Sequence, residues 1–122
     1  MSCTKFIHVT ISVEDLNESL NFYQDVIGLK VKRRFSAGGS DIVFLGDGGT
    51  EIELIFNPAK PNNSIGQDIS LGFEVPSLKE AASRLKEMGV ETSKVIQPNP
   101  HVMFFFFSDP NGVRIQFVEN VK

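Results

Sequence analysis

IHVTISV at Ile7–Val13 runs into DLNE at Asp15–Glu18, and 62 residues later ISLGFEV at Ile69–Val75 runs into SLKE at Ser77–Glu80. Apolar and polar residues alternate in the two longer stretches, which is the period of a half-buried β-strand. In the two shorter stretches an Asp or Ser stands three residues before a Glu, the spacing of a helix capping box. The same strand-to-helix unit therefore occurs twice in this chain.

Each copy continues in the same way. Both predicted helices carry an apolar stripe and end at a glycine, Gly28 or Gly89, where a left-handed residue often ends a helix. Three strand-like runs follow each helix, so the order of elements is βαβββ in both halves. The predicted strands are 5–13, 30–35, 41–45 and 51–56 in the first half, and 69–75, 91–96, 102–107 and 113–119 in the second.

This order predicts an α+β fold, in which two βαβββ modules in one chain form a cupped, partly open, barrel-like mixed sheet with the helices outside. The predicted plan is a single domain over residues 1–122. Module one covers 5–57, a linker covers 58–68, and module two covers 69–120. The linker is assigned because its residues are mostly polar or turn-forming.

Composition limits the partners. The 122 residues are 41% hydrophobic, which suits one compact soluble domain. A formal charge of −3 without a block of Lys or Arg argues against nucleic acid or an anionic membrane as a partner. No apolar run reaches the roughly 20 residues of a membrane span, and no signal-peptide segment is seen. The single cysteine, Cys3, cannot form an internal disulfide, so we predict a cytoplasmic protein.

Four polar residues lie opposite the apolar faces of their strands: His8, Glu53, Ser70 and Gln116. If the apolar faces pack on the helices, these four side chains point into the concave side of the sheet. A histidine and a carboxylate together suit divalent ions such as zinc, nickel or cobalt. Taken singly, a histidine or glutamate at such a position is usually solvated or hydrogen-bonded, and that interpretation stays open.

Two further positions allow two interpretations each. Within the run Met103–Phe107, Phe105 could stack on a planar ligand, but a strand buried on both sides gives the same pattern. His101 follows a Pro-Asn-Pro loop at the rim of the predicted cup. It is either a substrate contact or replacement metal ligand, supplied within the chain or across a dimer, or an exposed loop residue.

Five motifs give the chain its resemblance to the vicinal oxygen chelate superfamily, over essentially its whole length. This superfamily contains lactoylglutathione lyase (glyoxalase I), bleomycin-resistance proteins, fosfomycin-resistance enzymes and extradiol dioxygenases. The motifs are Phe6–His8, Val13–Leu16, Asn21–Leu29, Ile52–Leu54 and Asp109–Gly112.

The resemblance implies a metal site. In glyoxalases the positions of His8, Glu53, Ser70 and Gln116 hold a divalent ion, normally as His or Gln, Glu, His and Glu. This chain keeps the first two ligands, while Gln116 offers an amide where the family has a carboxylate that also transfers protons. We therefore expect the metal on His8, Glu53 and Gln116, with Glu53 and Gln116 as the catalytic residues.

The resemblance also suggests substrate contacts. Asn57 matches a family position that contacts glutathione, and Ser12 stands where glyoxalases often carry an Arg. With the positions named above, the expected substrate-binding set is Ser12, Asn57, Ser70, His101 and Phe105.

We predict a homodimeric glyoxalase-family enzyme, a metal-dependent lyase or isomerase that resembles lactoylglutathione lyase and acts on a small oxygenated substrate. The alternative is a metal-independent protein that binds a small molecule or drug, as bleomycin-resistance proteins do. In that case His8 and Glu53 serve only as hydrogen-bonding groups. The fosfomycin-resistance and extradiol dioxygenase patterns of two His and one Glu retain only His8 here and rank below both.

Overall fold

The computed structural model describes residues 5–59, 66 and 69–121. Cys3 and most of the predicted linker 58–68 lie outside these residues, so the linker and the plan of a single domain stay predictions. The chain divides into two compact units, residues 1–64 and 65–122, and each contains one module.

The first module is a four-stranded mixed sheet with one helix. Its strand order is β1-β4-β3-β2, in which β1 is parallel to β4 and the other neighbours are antiparallel. Helix α1 packs on β4. The elements are β1 (His8–Ser12), α1 (Leu16–Asn21), β2 (Lys30–Ala37), β3 (Ser40–Gly46) and β4 (Glu51–Phe56).

The second module repeats this topology. Its strand order is β5-β8-β7-β6, again with a parallel pair, β5 and β8, at one side of the sheet. The predicted α+β fold of two βαβββ modules is confirmed. The elements are β5 (Ser70–Glu74), α2 (Leu78–Glu87), β6 (Ile96–Asn99), β7 (Val102–Ser108) and β8 (Arg114–Asn120).

The helices begin where the capping-box spacing predicts. The Asp15 carboxylate accepts a hydrogen bond from the Glu18 N–H at 3.1 Å, and the Ser77 hydroxyl accepts one from the Glu80 N–H at 3.2 Å. Helix α1 continues as a π-helical segment, Phe22–Ile27, to Gly28, whose φ of 94° lies in the left-handed region. A glycine adopts this conformation without the steric cost that a Cβ atom imposes.

One predicted strand lies elsewhere. The sequence predicted a strand at 91–96, but β6 is Ile96–Asn99. The reason is Ser93, whose side-chain hydroxyl accepts a hydrogen bond from the Phe106 N–H at 2.9 Å, while its own N–H donates to the Phe106 carbonyl at 2.8 Å. The hydroxyl thus takes the place of a main-chain carbonyl, and no regular ladder forms before Ile96.

Each sheet has a buried apolar face. In the first module Val43, Leu45 and Leu54 are fully buried, and in the second Ile115 and Phe105 are. This apolar burial stabilises each module and fixes which face of its sheet is left for polar residues. Among the residues that the structure describes, none of the helices has the length and apolar character that crossing a membrane requires.

The turn between β7 and β8 depends on a buried carboxylate. Asp109 is 5% exposed, and its Oδ1 accepts hydrogen bonds from the main-chain N–H groups of Asn111 at 2.7 Å and Val113 at 2.8 Å. Because both donors belong to the turn itself, the side chain holds the hairpin in one conformation.

Asp109→Ala is expected to lower the free energy of unfolding by about 2 kcal/mol, because it leaves these donors without their charged acceptor. Urea unfolding followed by circular dichroism measures the change. Asp47→Ala is the matched control, since Asp47 occupies the equivalent turn of the first module but is exposed. Its effect should stay within about 0.5 kcal/mol, and equal losses in both variants would contradict the assigned role of Asp109.

Candidate functional site

The first module brings His8 and Glu53 together. Parallel pairing of β1 and β4 sets His8 beside Glu51 and Thr10 beside Glu53, so His8 and Glu53 are diagonal neighbours on one face. The His8 Nε2 lies 3.6 Å from the Glu53 Oε1. Their side chains are 34% and 15% exposed, so both groups are accessible to a small ligand.

Thr10 positions the carboxylate. Its hydroxyl donates a hydrogen bond to the Glu53 Oε1 at 2.5 Å. The same oxygen is the one nearest to His8. A hydroxyl that holds a carboxylate in this way limits its rotation and keeps it directed at its neighbour.

Aromatic rings support the His8 side of this face. The His8 and Phe44 rings form a T-shaped pair with their centroids 5.5 Å apart, and Phe35 stacks on Phe44 with a centroid distance of 6.1 Å. Both phenylalanines are neighbours across β2 and β3 of the same sheet. The face therefore combines a polar pair with an apolar floor that could accommodate an organic ligand.

A second carboxylate on this face is already neutralised. Glu51 forms a bidentate ion pair with Arg33, with distances of 2.7 and 3.3 Å between the guanidinium nitrogens and the carboxylate oxygens. The guanidinium carbon of Arg33 lies 4.2 Å from the centre of the Phe44 ring. Glu51 is thus occupied by Arg33, whereas Glu53 is the carboxylate that contacts His8 and Thr10.

The spacing of His8 and Glu53 fits two ligands of one metal ion. Two ligand atoms on a tetrahedral zinc ion lie about 3.4 Å apart, close to the observed 3.6 Å. Imidazole nitrogen and carboxylate oxygen are also donors that borderline divalent ions prefer. Within residues 5–59, 66 and 69–121, no three His, Cys, Asp or Glu side chains are grouped closely enough to hold a metal. A complete site would therefore need other donors.

The second module places Ser70 and Gln116 in the same relation. Ser70 lies beside Arg114 and Gly72 beside Gln116, so Ser70 and Gln116 are diagonal neighbours as His8 and Glu53 are. Ser70 is exposed and Gln116 is half-buried. The repeat thus extends to the register of the strands, although the chemical character of the pair has changed.

Gly72 takes the place that Thr10 has in the first module. A Cβ atom built on Gly72 would lie 3.3 Å from the Gln116 Oε1. The Gln116 amide therefore rests over the bare main chain of β5, where any side chain would crowd it. Gly72 sets the position of Gln116 by leaving room for it.

The structure places Phe105 on the face opposite to Gln116. Phe105 is fully buried and packs against Phe107 and Phe117 at ring distances of 6.2 and 6.0 Å. Phe106, which lies directly beside Gln116 across β7 and β8, shares the face of Gln116. Phe105 is thus a core residue, and Phe106 is the aromatic residue paired with Gln116 in the strand register.

The remaining predicted residues lie at strand ends. Ser12 ends β1 and is exposed, on the same face as His8 and Thr10. Asn57 follows β4, and its side-chain oxygen accepts a hydrogen bond from the Ala59 N–H at 3.0 Å, which engages it in a turn. His101 is an exposed residue of the loop between β6 and β7. The roles of Ser12, Asn57 and His101 in a site stay predictions.

Sequence reasoning missed three residues that shape these faces: Thr10, Arg33 and Gly72. Thr10 stands two residues after the predicted ligand His8, and Gly72 two residues after the predicted substrate contact Ser70. Each shares the face of that residue, so the period of two could have identified both. Arg33 carried no such signal, because its partner Glu51 is 18 residues away and on a different strand.

The Glyoxalase/Bleomycin resistance protein/Dioxygenase superfamily model matches residues 5–117. The chain therefore belongs to this superfamily. The match covers both modules and all of the described secondary structure except the end of β8.

The sequence similarity to curated relatives covers nearly the full chain. The chain is 30% identical to a lactoylglutathione lyase of Neisseria meningitidis over 124 residues, which cover 94% of this chain and 90% of the relative. It is also 30% identical to an uncharacterized protein, YwbC, of Bacillus subtilis, with 92% and 94% covered. A probable lactoylglutathione lyase of Synechocystis is 27% identical, with 93% of each chain covered.

Solved structures show the same fold. The trypanothione-dependent glyoxalase I of Leishmania major has a TM-score of 0.83 at 24% identity, with 96% of this chain and 87% of that chain covered. TnmS3, an antibiotic-binding protein of Streptomyces, has a TM-score of 0.74 at 18% identity, with 98% of both covered. Identities this low establish a shared fold and nothing about activity.

Gly72→Ala is expected to displace the Gln116 amide, because the new methyl group would lie too close to its oxygen. The free energy of unfolding should change by less than about 1 kcal/mol, since Gly72 is in ordinary strand conformation and Gln116 is a flexible side chain. Nuclear magnetic resonance of the side-chain amide of Gln116 measures the displacement. Gly49→Ala, where the added atom meets nothing closer than 3.9 Å, is the control. An unmoved Gln116 resonance in Gly72→Ala would refute this packing.

Proposed function

We propose that this protein is a divalent-metal-dependent lyase or isomerase that resembles lactoylglutathione lyase and acts on a small oxygenated substrate. The observation that carries the proposal is the pair of His8 and Glu53, held 3.6 Å apart on one face of the first sheet. Membership of the superfamily and the 30% identity to a lactoylglutathione lyase support the same reading.

His8 and Glu53 would hold the ion, and the Gln116 side-chain oxygen together with water would complete its coordination. A bound divalent ion would supply Lewis-acid chemistry to adjacent oxygen atoms of the substrate. Zinc, nickel and cobalt suit this donor set. Thr10 would keep the Glu53 carboxylate directed at His8 in the absence and in the presence of substrate.

We assign proton transfer to Glu53. Among the described contacts, the Thr10 hydroxyl and the His8 ring both meet its Oε1. Oε2 is then the oxygen that would take a proton from the substrate and return it. Gln116 acts differently, because an amide donates and accepts hydrogen bonds but does not exchange a proton as a carboxylate does. We assign it to substrate orientation and to the neutral ligand position.

We propose a homodimer in the cytoplasm whose partners are small molecules. Ser12, Asn57, Ser70 and His101 are proposed to contact the substrate.

A second candidate function is metal-independent binding of a small aromatic or drug-like molecule. The specific observation in its favour is the apolar floor formed by Phe35 and Phe44 beside His8. Phe44 is itself buried, but a planar ligand could stack on the exposed ring of Phe35 while His8 and Glu53 donate and accept hydrogen bonds. The fold shared with the antibiotic-binding protein TnmS3 is compatible with this use.

Titration of zinc, nickel and cobalt into demetallated protein, followed by calorimetry, separates the two candidates. We expect sub-micromolar binding that His8→Ala and Glu53→Ala each abolish, because removal of one of two strong ligands leaves too few donors. The same titration of His101→Ala tests that histidine as a replacement ligand, and unchanged affinity would exclude it. Absence of binding, or binding indifferent to both ligand variants, would favour the metal-independent function.

Thr10→Val is expected to weaken metal binding by roughly 10- to 100-fold, the range that loss of a hydrogen bond to a metal ligand produces. Valine keeps the shape of threonine and removes only the hydroxyl that orients Glu53. The same calorimetric titration measures it. Thr50→Val, an exposed threonine whose hydroxyl bonds the Phe6 carbonyl, is the matched control. Equal affinities in the two variants would remove Thr10 from the site.

Turnover of the hemithioacetal of methylglyoxal and glutathione tests the reaction itself. The double variant Ser70→His with Gln116→Glu restores the ligand types that glyoxalases normally carry. If the proposed site is correct, this variant should raise metal affinity and turnover together, since it adds a strong ligand and a carboxylate base. A rise in neither, with the fold intact by circular dichroism, would contradict the assignment of positions 70 and 116.

A further inference from the structure

One register position on the polar face carries opposite charges in the two modules. Arg114 on β8 occupies the register position that Glu51 has on β4, beside the first residue of the parallel partner strand. In the first module a guanidinium, that of Arg33, lies over Phe44. In the second module the guanidinium carbon of Arg114 lies 3.8 Å from the centre of the equivalent ring, Phe106. In each module an arginine therefore covers the phenylalanine. Arg33 belongs to β2, whereas Arg114 belongs to β8.

The charges around these arginines differ. Arg33 is paired with Glu51, so the first module is internally neutral at this point. Arg114 forms no ion pair with a carboxylate among the residues that the structure describes. Phe106, whose ring lies under Arg114, has main-chain hydrogen bonds to Ser93, and this serine carries no charge. Among the residues that the structure describes, Arg114 is thus a cation without a counterion.

The carboxylates of the second sheet are engaged elsewhere. Glu74 accepts a hydrogen bond from the Asn120 side chain at 2.6 Å, and Glu119 accepts one from the Leu78 N–H at 2.6 Å. Asp109 holds the turn between β7 and β8. Within the described part of the chain none of the three forms an ion pair with Arg114, so its positive charge is available to a ligand.

Hydroxyl groups and a depression surround this cation. Ser70 on β5 and Ser108 on β7 are the register partners of Arg114 on its two sides, which gives a row of hydroxyl, guanidinium and hydroxyl across three strands. Beside this row lies a depression of about 560 Å³, lined by Phe106, Phe107, Ser108, Gly112 and Arg114. Its volume suits one end of a small ligand.

We propose that Arg114, with Ser70 and Ser108 beside it, binds a carboxylate group of the ligand. The planar guanidinium donates two parallel hydrogen bonds to a carboxylate, and the Phe106 ring beneath it holds the plane in one orientation. The flanking hydroxyls supply further donors. The inference deepens the proposed function and rests on it for one point, that the molecule bound here is the substrate. The substrate is then an organic acid.

The test is a titration of isotope-labelled protein with glutarate, followed by the main-chain amide resonances of Ser70, Ser108 and Arg114. Glutaramide, which replaces both carboxylates with neutral amides, is the matched probe. We expect glutarate to shift these resonances in a saturable way and glutaramide to leave them in place. Arg114→Gln should abolish the response, and Arg114→Lys should weaken it severalfold, because an ammonium keeps the charge but lacks the planar fork.

Arg33→Gln is the control variant, since Arg33 also lies over a phenylalanine but is already paired with Glu51. It should retain the glutarate response. Equal shifts with glutarate and glutaramide, an unchanged response in Arg114→Gln, or no response in the folded protein would overturn the proposal. Tighter binding of inorganic phosphate than of glutarate would overturn the assignment to a carboxylate.

This titration requires neither metal nor turnover. A protein that binds no metal can still show the carboxylate subsite, and a metal-binding protein can lack it. Failure of the subsite and failure of the proposed enzymatic function are therefore separate results.

Discussion

The parallel pairing of the first and last strands of each module is the constraint on which the candidate sites depend. It sets Thr10 beside Glu53, and it makes His8 the diagonal neighbour of the same carboxylate. Residues such as Ile11 and Leu54, buried on the opposite face, hold this register through apolar packing. A shift of one residue would exchange the two faces and turn His8 toward the core.

The two modules have the same strand register but different side chains on their polar faces, and so they differ in chemistry. The register positions of Thr10, Glu51 and Glu53 recur in the second sheet as Gly72, Arg114 and Gln116 (the parallel ladder of β5 and β8). The apolar face is required for folding, whereas the polar face contributes little to stability. The polar face is therefore free to vary. One module presents a histidine and carboxylate pair, and the other presents a guanidinium beside hydroxyl groups.

Much of the fold could be predicted because its signals are local. The capping residues Asp15 and Ser77, and the glycine that ends each helix, act within one turn of chain. The position of β6 could not be predicted, because it depends on bonds between Ser93 and a residue 13 positions away. The orientation of Phe105 was also beyond the sequence, since a run of five apolar residues shows no alternation that would identify the core face.

The sequence by itself determined the two βαβββ modules, the starts of their helices and the placement of His8 and Glu53 on the polar faces of their strands. Only the tertiary structure decided which residues are neighbours across strands. It joined Thr10 to Glu53, paired Arg33 with Glu51 and left Arg114 beside two serines. The physical reason is that the alternation of a strand is a local property of the main chain. Register between distant strands is instead set by the packing of apolar side chains from the whole module.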